Sequence, residues 1–301
     1  MSRIFFAWEL GQNYGHLSRQ FSIATKLQAC GHSVFFAARD CSVAAELLSS
    51  QGISYTQAPF WHSGNMLPSP PVNYAELLLA EGYGSYVGLL GMVSSWMALF
   101  RLYRPEIIVI DHSPTALLAS YMAGIPAIQI GNGFEIPPNK YPFPSIRPWE
   151  TITKTRMIRA EACVLEILNK ICNNYHRPCF ETVQSFMRCS VSLISSFPEL
   201  DHYGARLDET YIGPIYTPSK GMLIPWQESS YPHVFAYLRP SIPGFSELLM
   251  ALKDITKVAD VTIVAPGIRK NQAEIITSPR LRIYNQLLQL DYFCDKAALA
   301  I

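Results

Sequence analysis

The sequence predicts an α/β protein built on parallel sheets. Short apolar runs rich in β-branched and aromatic residues recur along the chain, and stretches of helical periodicity fall between them. Gly and Pro mark the joints. Strands alternating with helices make βαβ units whose crossovers cover both sheet faces, and a chain that is 49% hydrophobic and only 16% charged suits such strands. At 301 residues, two domains are expected, each large enough for its own core.

Taken in order, Ile4-Phe5-Phe6-Ala7-Trp8 reads as a buried strand. Leu17, Phe21, Ala24 and Leu27 recur at helical spacing and Gly31 ends that helix, before a second strand over His32–Ala37. Gly52–Ala58 reads as a third strand and Ile107–Ile110 as a fourth. Ser113-Pro114-Thr115 opens a helix that runs to Gly124, and Ile125–Ile130 is the next strand. One or two helices are expected over 154–187, then a strand at Val191–Ile194. Together, 1–215 form a Rossmann-like domain with helices on both sheet faces. Pro, Ser and Gly interrupt 216–232, read as a linker. From 233 to 301 a partial second lobe of the same kind begins, with strands at Val234–Leu238, Val261–Ala265 and Arg282–Tyr284 and a helix near Phe245–Lys253.

Two residues stand at strand exits, where open parallel sheets bind ligands. His16 lies in the first turn of the first helix, where exposed N–H groups and the helix dipole disfavour imidazolium. A neutral imidazole there reads equally as a general base or as a capping or packing residue. Asp111 ends the fourth strand. It reads either as the carboxylate that orients the far nitrogen of His16, or as a cap for the helix from Ser113, and the two roles are compatible.

Loops at the same edge read either as contacts for an apolar or sugar-like acceptor or as ordinary surface loops with partly buried aromatics: Asn13 and Gly15, then Trp61 in the Pro-rich loop, then Asn132, Phe134 and Glu135. No metal-ligand cluster is apparent. A net charge of +1 gives no electrostatic case for nucleic acid as a partner. Seven scattered cysteines without a C-x-x-C pair favour reduced thiols and a cytoplasmic setting, and the first apolar run is too short for a signal peptide. Residues 82–100 carry no charge, but their Gly and Ser content reads as a helix on the sheet, with membrane association peripheral at most.

The residues resemble a family. Gly15-His16 with Arg19, Pro105–Asp111, Ala123-Gly124-Ile125-Pro126, and Pro198-Glu199-Leu200-Asp201 followed by Tyr211-Ile212-Gly213-Pro214 are similar to the GT-B glycosyltransferases. The likeness is in particular to the branch containing bacterial macrolide and UDP-dependent glycosyltransferases and their plant relatives. That resemblance implies inverting, metal-independent transfer from a UDP- or dTDP-linked sugar to a small-molecule or lipid-like acceptor, without a cofactor. It implies His16 as catalytic base and Asp111 as the residue that orients it. The family's His/Gly-rich diphosphate-binding stretch has no counterpart after Leu290–Asp295, so the donor site is expected to be incomplete in this chain.

Three other readings follow. The chain is a non-catalytic acceptor-binding subunit completed by a second chain, or it is a truncated, inactive homologue. In the latter case Leu287, Leu288, Leu290, Phe293 and Leu299 form an unburied apolar face. The third is an NAD(P)-dependent oxidoreductase, for which the glycine pattern is short of G-x-G-x-x-G and Asp40 is a weak ribose-binding acid.

Overall fold

A computed structural model describes residues 1–11, 14–60, 69–188, 190–216, 221–226 and 229–301. The chain divides into two compact units, Met1–Thr217 and Pro218–Ile301.

The first unit runs β1 (Arg3–Trp8), α1 (Tyr14–Ala29), β2 (Ser33–Ala38), α2 (Cys41–Leu48), β3 (Ser54–Gln57), α3 (Tyr74–Leu78), α4 (Tyr86–Tyr103), β4 (Ile107–Asp111), α5 (Pro114–Ala123), β5 (Ala127–Gly131), α6 (Lys154–Asn174), α7 (Val183–Met187) and β6 (Val191–Ile194). Its six strands pair in the order β3-β2-β1-β4-β5-β6, every pair parallel. The inner strands β1, β2 and β4 are apolar on both sides because each side has a core. Ile4, Phe6 and Trp8 of β1 pack with Leu17, Phe21 and Leu47 on the side of α1 and α2. Phe5 and Ala7 pack with Leu89, Trp96, Phe100 and Leu117 on the side of α4 and α5. Burying each such large side chain contributes about 1.5–3 kcal/mol, so the alternation fixes the register of the whole strand.

The uncharged stretch forms α4, which is long and apolar enough to cross a membrane by length and composition. Its Leu89, Val93, Trp96 and Phe100 lie along one stripe and are buried in the sheet's core. Two short helices of this unit have no counterpart in the sequence reading. In α2, Asp40 accepts hydrogen bonds from the Ser42 and Val43 amides at 2.8 and 3.4 Å. The acid weighed as a ribose ligand is therefore a helix N-cap. In α3, the Asn73 side chain caps in the same way.

The second unit runs β7 (His233–Tyr237), α8 (Phe245–Ile255), β8 (Asp260–Val264), α9 (Lys270–Ile276), β9 (Leu281–Tyr284), α10 (Leu290–Cys294) and β10 (Leu299–Ala300). Its parallel sheet has the order β10-β7-β8-β9. Here the expected unburied apolar face is corrected. Leu288 and Phe293 are each 1% exposed and pack on Phe235 and Val264, while Leu287 and Leu299 remain exposed. Part of the stretch read as linker packs into this unit: Met222 forms an isolated bridge with Leu288, and Trp226 stacks on His233 at 4.4 Å.

One buried acid ties β1 to α5. Ser113, the N-cap of α5, makes no side-chain capping bond. Instead Glu9, just past β1, accepts from the Thr115 amide at 3.0 Å, the Ser113 hydroxyl at 3.1 Å and the Thr115 hydroxyl at 2.5 Å. The capping acid of α5 is thus Glu9 and not Asp111, a substitution invisible to local sequence because 104 residues separate the partners. Burial pushes the Glu9 carboxyl up to about 7, against the Thr115 and Ser113 hydrogen bonds that favour the ionised form. The fold therefore favours the protonated acid: its contribution to stability is complete below the ordinary value of 4.5 and is lost as pH rises through about 7. Glu9→Gln is expected to flatten the fall in stability between about pH 5 and 8 by up to about 3 kcal/mol in denaturant melts. An unchanged slope would exclude Glu9 as its source.

Candidate active site

Three adjacent strand exits converge at the point where the strand order reverses, between β1 and β4. Trp8 ends β1 in register with Asp111, which ends β4. The loop after β1 leads into α1 and delivers His16 and Arg19. The loop after β5 delivers Glu135.

These side chains meet. His16 Nδ1 lies 2.7 Å from Asp111 Oδ1 and 3.3 Å from Glu135 Oε1. Arg19 donates from Nε to Asp111 Oδ2 at 2.7 Å, and from Nη2 to Asp111 Oδ1 at 2.9 Å and Glu135 Oε2 at 3.0 Å. Asp111 is fully buried, and the His16 side chain keeps 13% exposure. Trp8 lies against the imidazole with ring centres 5.8 Å apart, and its own Nε1 donates to the Leu10 carbonyl at 2.7 Å. Gly11 lies against the other ring nitrogen: a Cβ there would sit 2.2 Å from His16 Nε2. Gly11 also lines an open cleft of about 410 Å³, together with Trp8, Tyr14, Arg39, Asp40 and Gln57. A larger groove of about 530 Å³ between α3 and α6 is lined by Glu76, Arg156 and Arg159 and includes none of the His16 cluster.

The electrostatics follow from burial and pairing. Burial works against a charged His16, but the Asp111 hydrogen bond and charge, with Glu135 beside it, outweigh that and raise the ring above its ordinary value. Burial likewise works against ionised Asp111, yet the Arg19 charge and the His16 hydrogen bond hold its carboxyl below the usual range. Glu135 goes the other way. Burial and the Asp111 charge push it up to about 7, because the two buried carboxylates repel. His112, the residue after Asp111, is pushed down to about 3 by burial and by the neighbouring His16 charge, and is neutral at physiological pH.

The structure places the other expected contacts variously. Asn13 and Trp61 lie outside the described residues. Gly15 is exposed at the start of α1. Asn132 is exposed, and its side chain organises its own loop by accepting from the Phe134 amide at 2.9 Å. Phe134 is half-buried, edge-on to His112 and His202 at 6.1 and 5.4 Å. Glu135 is buried and engaged by Arg19 and the Asn132 amide, so it belongs to the charged cluster and is not presented to the cleft. The loop is held from behind by Asp201, which pairs with Arg206 at 2.6 Å, while Arg206 donates to the Ile136 carbonyl at 2.8 Å.

Arg19, Trp8, Gly11 and His112 complete the site but were absent from the expected set. Arg19 had a signal, its position three residues after His16 on the same helix face. His112 carries a positive φ of 44° and a buried Nε2 without a hydrogen-bond partner, features only coordinates reveal. His16, His112 and Glu135 place ligand atoms within 4.8 Å of one another. Asp111 occupies His16 Nδ1, and the Arg19 guanidinium already sits on Glu135 as its cation.

No family model matches the sequence, and no curated protein does. Solved structures do. CalG4, the calicheamicin glycosyltransferase, has a TM-score of 0.66 at 13% identity, over 99% of this chain and 73% of its own. VinC, a glycosyltransferase in complex with dTDP, has 0.61 at 15%, over 99% and 75%. The spinosyn rhamnosyltransferase SpnG, complexed with spinosyn aglycone, has 0.60 at 17%, over 100% and 74%. The likeness is one of fold, and the fold is the GT-B fold expected from the sequence.

Gly11 has a φ of +84°, which an L side chain rarely adopts, and faces the ring directly. Gly11→Ala is expected to destabilise the protein by about 1–3 kcal/mol through backbone strain. It should also push the imidazole off Asp111, so that His16 titrates at lower pH by NMR. A His16 titration identical to the parent would show that the ring is not held against this glycine.

Proposed function

We propose that the protein transfers a glycosyl group from a nucleotide-diphosphate sugar, UDP- or dTDP-linked, to a hydroxyl of a small-molecule or lipid-like acceptor. The reading rests on the contact between His16 Nδ1 and Asp111 at 2.7 Å, at the reversal point of a parallel sheet and beside an open cleft. The fold adds support, since among its structural relatives VinC holds dTDP and SpnG holds an aglycone.

In this mechanism Asp111 fixes the tautomer in which His16 Nδ1 carries the proton, leaving Nε2 as the basic atom. The acceptor O–H bond breaks as its proton passes to Nε2, and the oxygen attacks the anomeric carbon from the face opposite the diphosphate. The bond between that carbon and the phosphate oxygen breaks, and the nucleotide diphosphate leaves with the electron pair. A single displacement of this kind inverts the anomeric configuration. The Asp111 carboxylate balances the imidazolium that forms. The second, Rossmann-like unit is the expected place for the sugar nucleotide, whose leaving charge requires N–H donors such as those of a helix N-terminus.

His16→Ala in the full-length protein is expected to lower acceptor-dependent release of nucleotide diphosphate by about 10²–10⁴-fold, the usual range for a general base. Thermal unfolding should remain cooperative. Because His16 must be neutral to act and titrates above its ordinary 6.5, the rate should rise with pH through a midpoint above that value. Undiminished release in the variant removes His16 as the base.

A further inference from the structure

The proposed mechanism uses one carboxylate, yet two more buried charged groups, Arg19 and Glu135, crowd the same ring. We infer that Arg19 is a positioning residue that clamps Asp111 and Glu135 together beneath His16, so that the imidazole is served by two carboxylates held under one guanidinium. This inference rests on the reading of His16 as the base.

The geometry is that of a fork. Arg19 follows His16 by three residues on α1, so both side chains leave the same helix face. Its Nε and Nη2 grip the two Asp111 oxygens at 2.7 and 2.9 Å, and Nη2 also reaches Glu135 Oε2 at 3.0 Å. The other Glu135 oxygen faces His16 Nδ1 at 3.3 Å, the nitrogen that Asp111 holds at 2.7 Å. A planar guanidinium spans two carboxylates in this way, and a lysine ammonium does not. The backbone is cut to admit the second acid: a Cβ on Gly131 would lie 2.6 Å from Glu135 Oε2.

Counting charge shows why the clamp matters to the ring. Arg19 and Asp111 cancel, which leaves Glu135 and His16 holding one proton between them. A neutral acid beside a neutral imidazole and a carboxylate beside an imidazolium carry the same total charge. With Glu135 ionised and His16 neutral, the acceptor's proton becomes that one shared proton, and the imidazolium it forms has the Glu135 carboxylate at 3.3 Å. The groups that face the ring are Arg19 from α1, Asp111 and His112 from the end of β4, and Glu135 from the loop after β5; Trp8, the last residue of β1, and Gly11, in the loop after it, are uncharged. His112 is neutral above about pH 3. Removing Glu135 or Arg19 must then move His16 in opposite directions, since the first favours imidazolium and the second opposes it.

The test is the NMR titration of the His16 ring in the parent, Glu135→Gln, Arg19→Met and the double variant, without substrate. Glu135→Gln should lower the midpoint by about one pH unit, Arg19→Met should raise it by about one, and the double variant should return close to the parent. Arg19→Lys should not restore the parent midpoint. Where transfer is measurable, the acidic limb of the rate profile should move in the same directions. An unmoved midpoint in Arg19→Met, or shifts of one sign in both single variants, overturns the clamp. Should Arg19→Met fail to fold, Glu135→Gln keeps its guanidinium and decides alone: no downward shift overturns the proposal. Loss of the base reading through an active His16→Ala leaves these titrations interpretable, and unshifted titrations leave the His16→Ala result standing.

Discussion

A fully buried carboxylate has to be answered by positive charge, and Asp111 is answered by Arg19. Leaving such a group uncompensated costs several kcal/mol, more than most single packing contacts supply. The pairing therefore dictates how α1 lies on the sheet, because the helix must bring residues 16 and 19 over the end of β4. Trp8 beneath the imidazole and Gly11 beside it are the shape consequences of that approach. Glu9, another buried acid at the edge, is answered by hydroxyl and amide donors instead, and burial favours its protonated form.

The site follows from a topology that reverses direction between β1 and β4. Helices leave the adjacent strands toward opposite faces, and the divergence opens a crevice at the carboxyl edge. Strands β1, β4 and β5 each contribute one exit to it. Asp201, part of the motif that resembles the glycosyltransferases, pairs with Arg206 one layer back, and Arg206 holds the loop that carries Glu135. Chemistry and support are thus divided between strand exits and the segment after β6.

The second unit repeats the parallel α/β plan on a smaller sheet. Its last strand, β10, is two residues long and pairs with β7, which places β7 inside the sheet. The apolar residues near the end of the chain divide accordingly. Leu288 and Phe293 pack against Phe235 and Val264, while Leu299 of β10 stays exposed.

The sequence by itself determined the elements whose signals are local and long: the apolar runs of β1, β2 and β4, the helix between Leu17 and Leu27, and the Gly-His and Asp positions at strand exits. Periodicity and turn residues carry that information because backbone hydrogen bonding and burial act within a few residues. Short helices escaped, although Asp40 with Val43, Ala44 and Leu47 was a legible cap and stripe for α2. Tertiary structure alone decided which charges meet. That Glu135 turns to Arg19, that Glu9 rather than Asp111 caps α5, and that Phe293 is buried all depend on strand order and on contacts across tens of residues. Side-chain identity does not encode such partners, because a carboxylate is equally suited to a cap, an ion pair or a ligand until the sheet places a donor beside it.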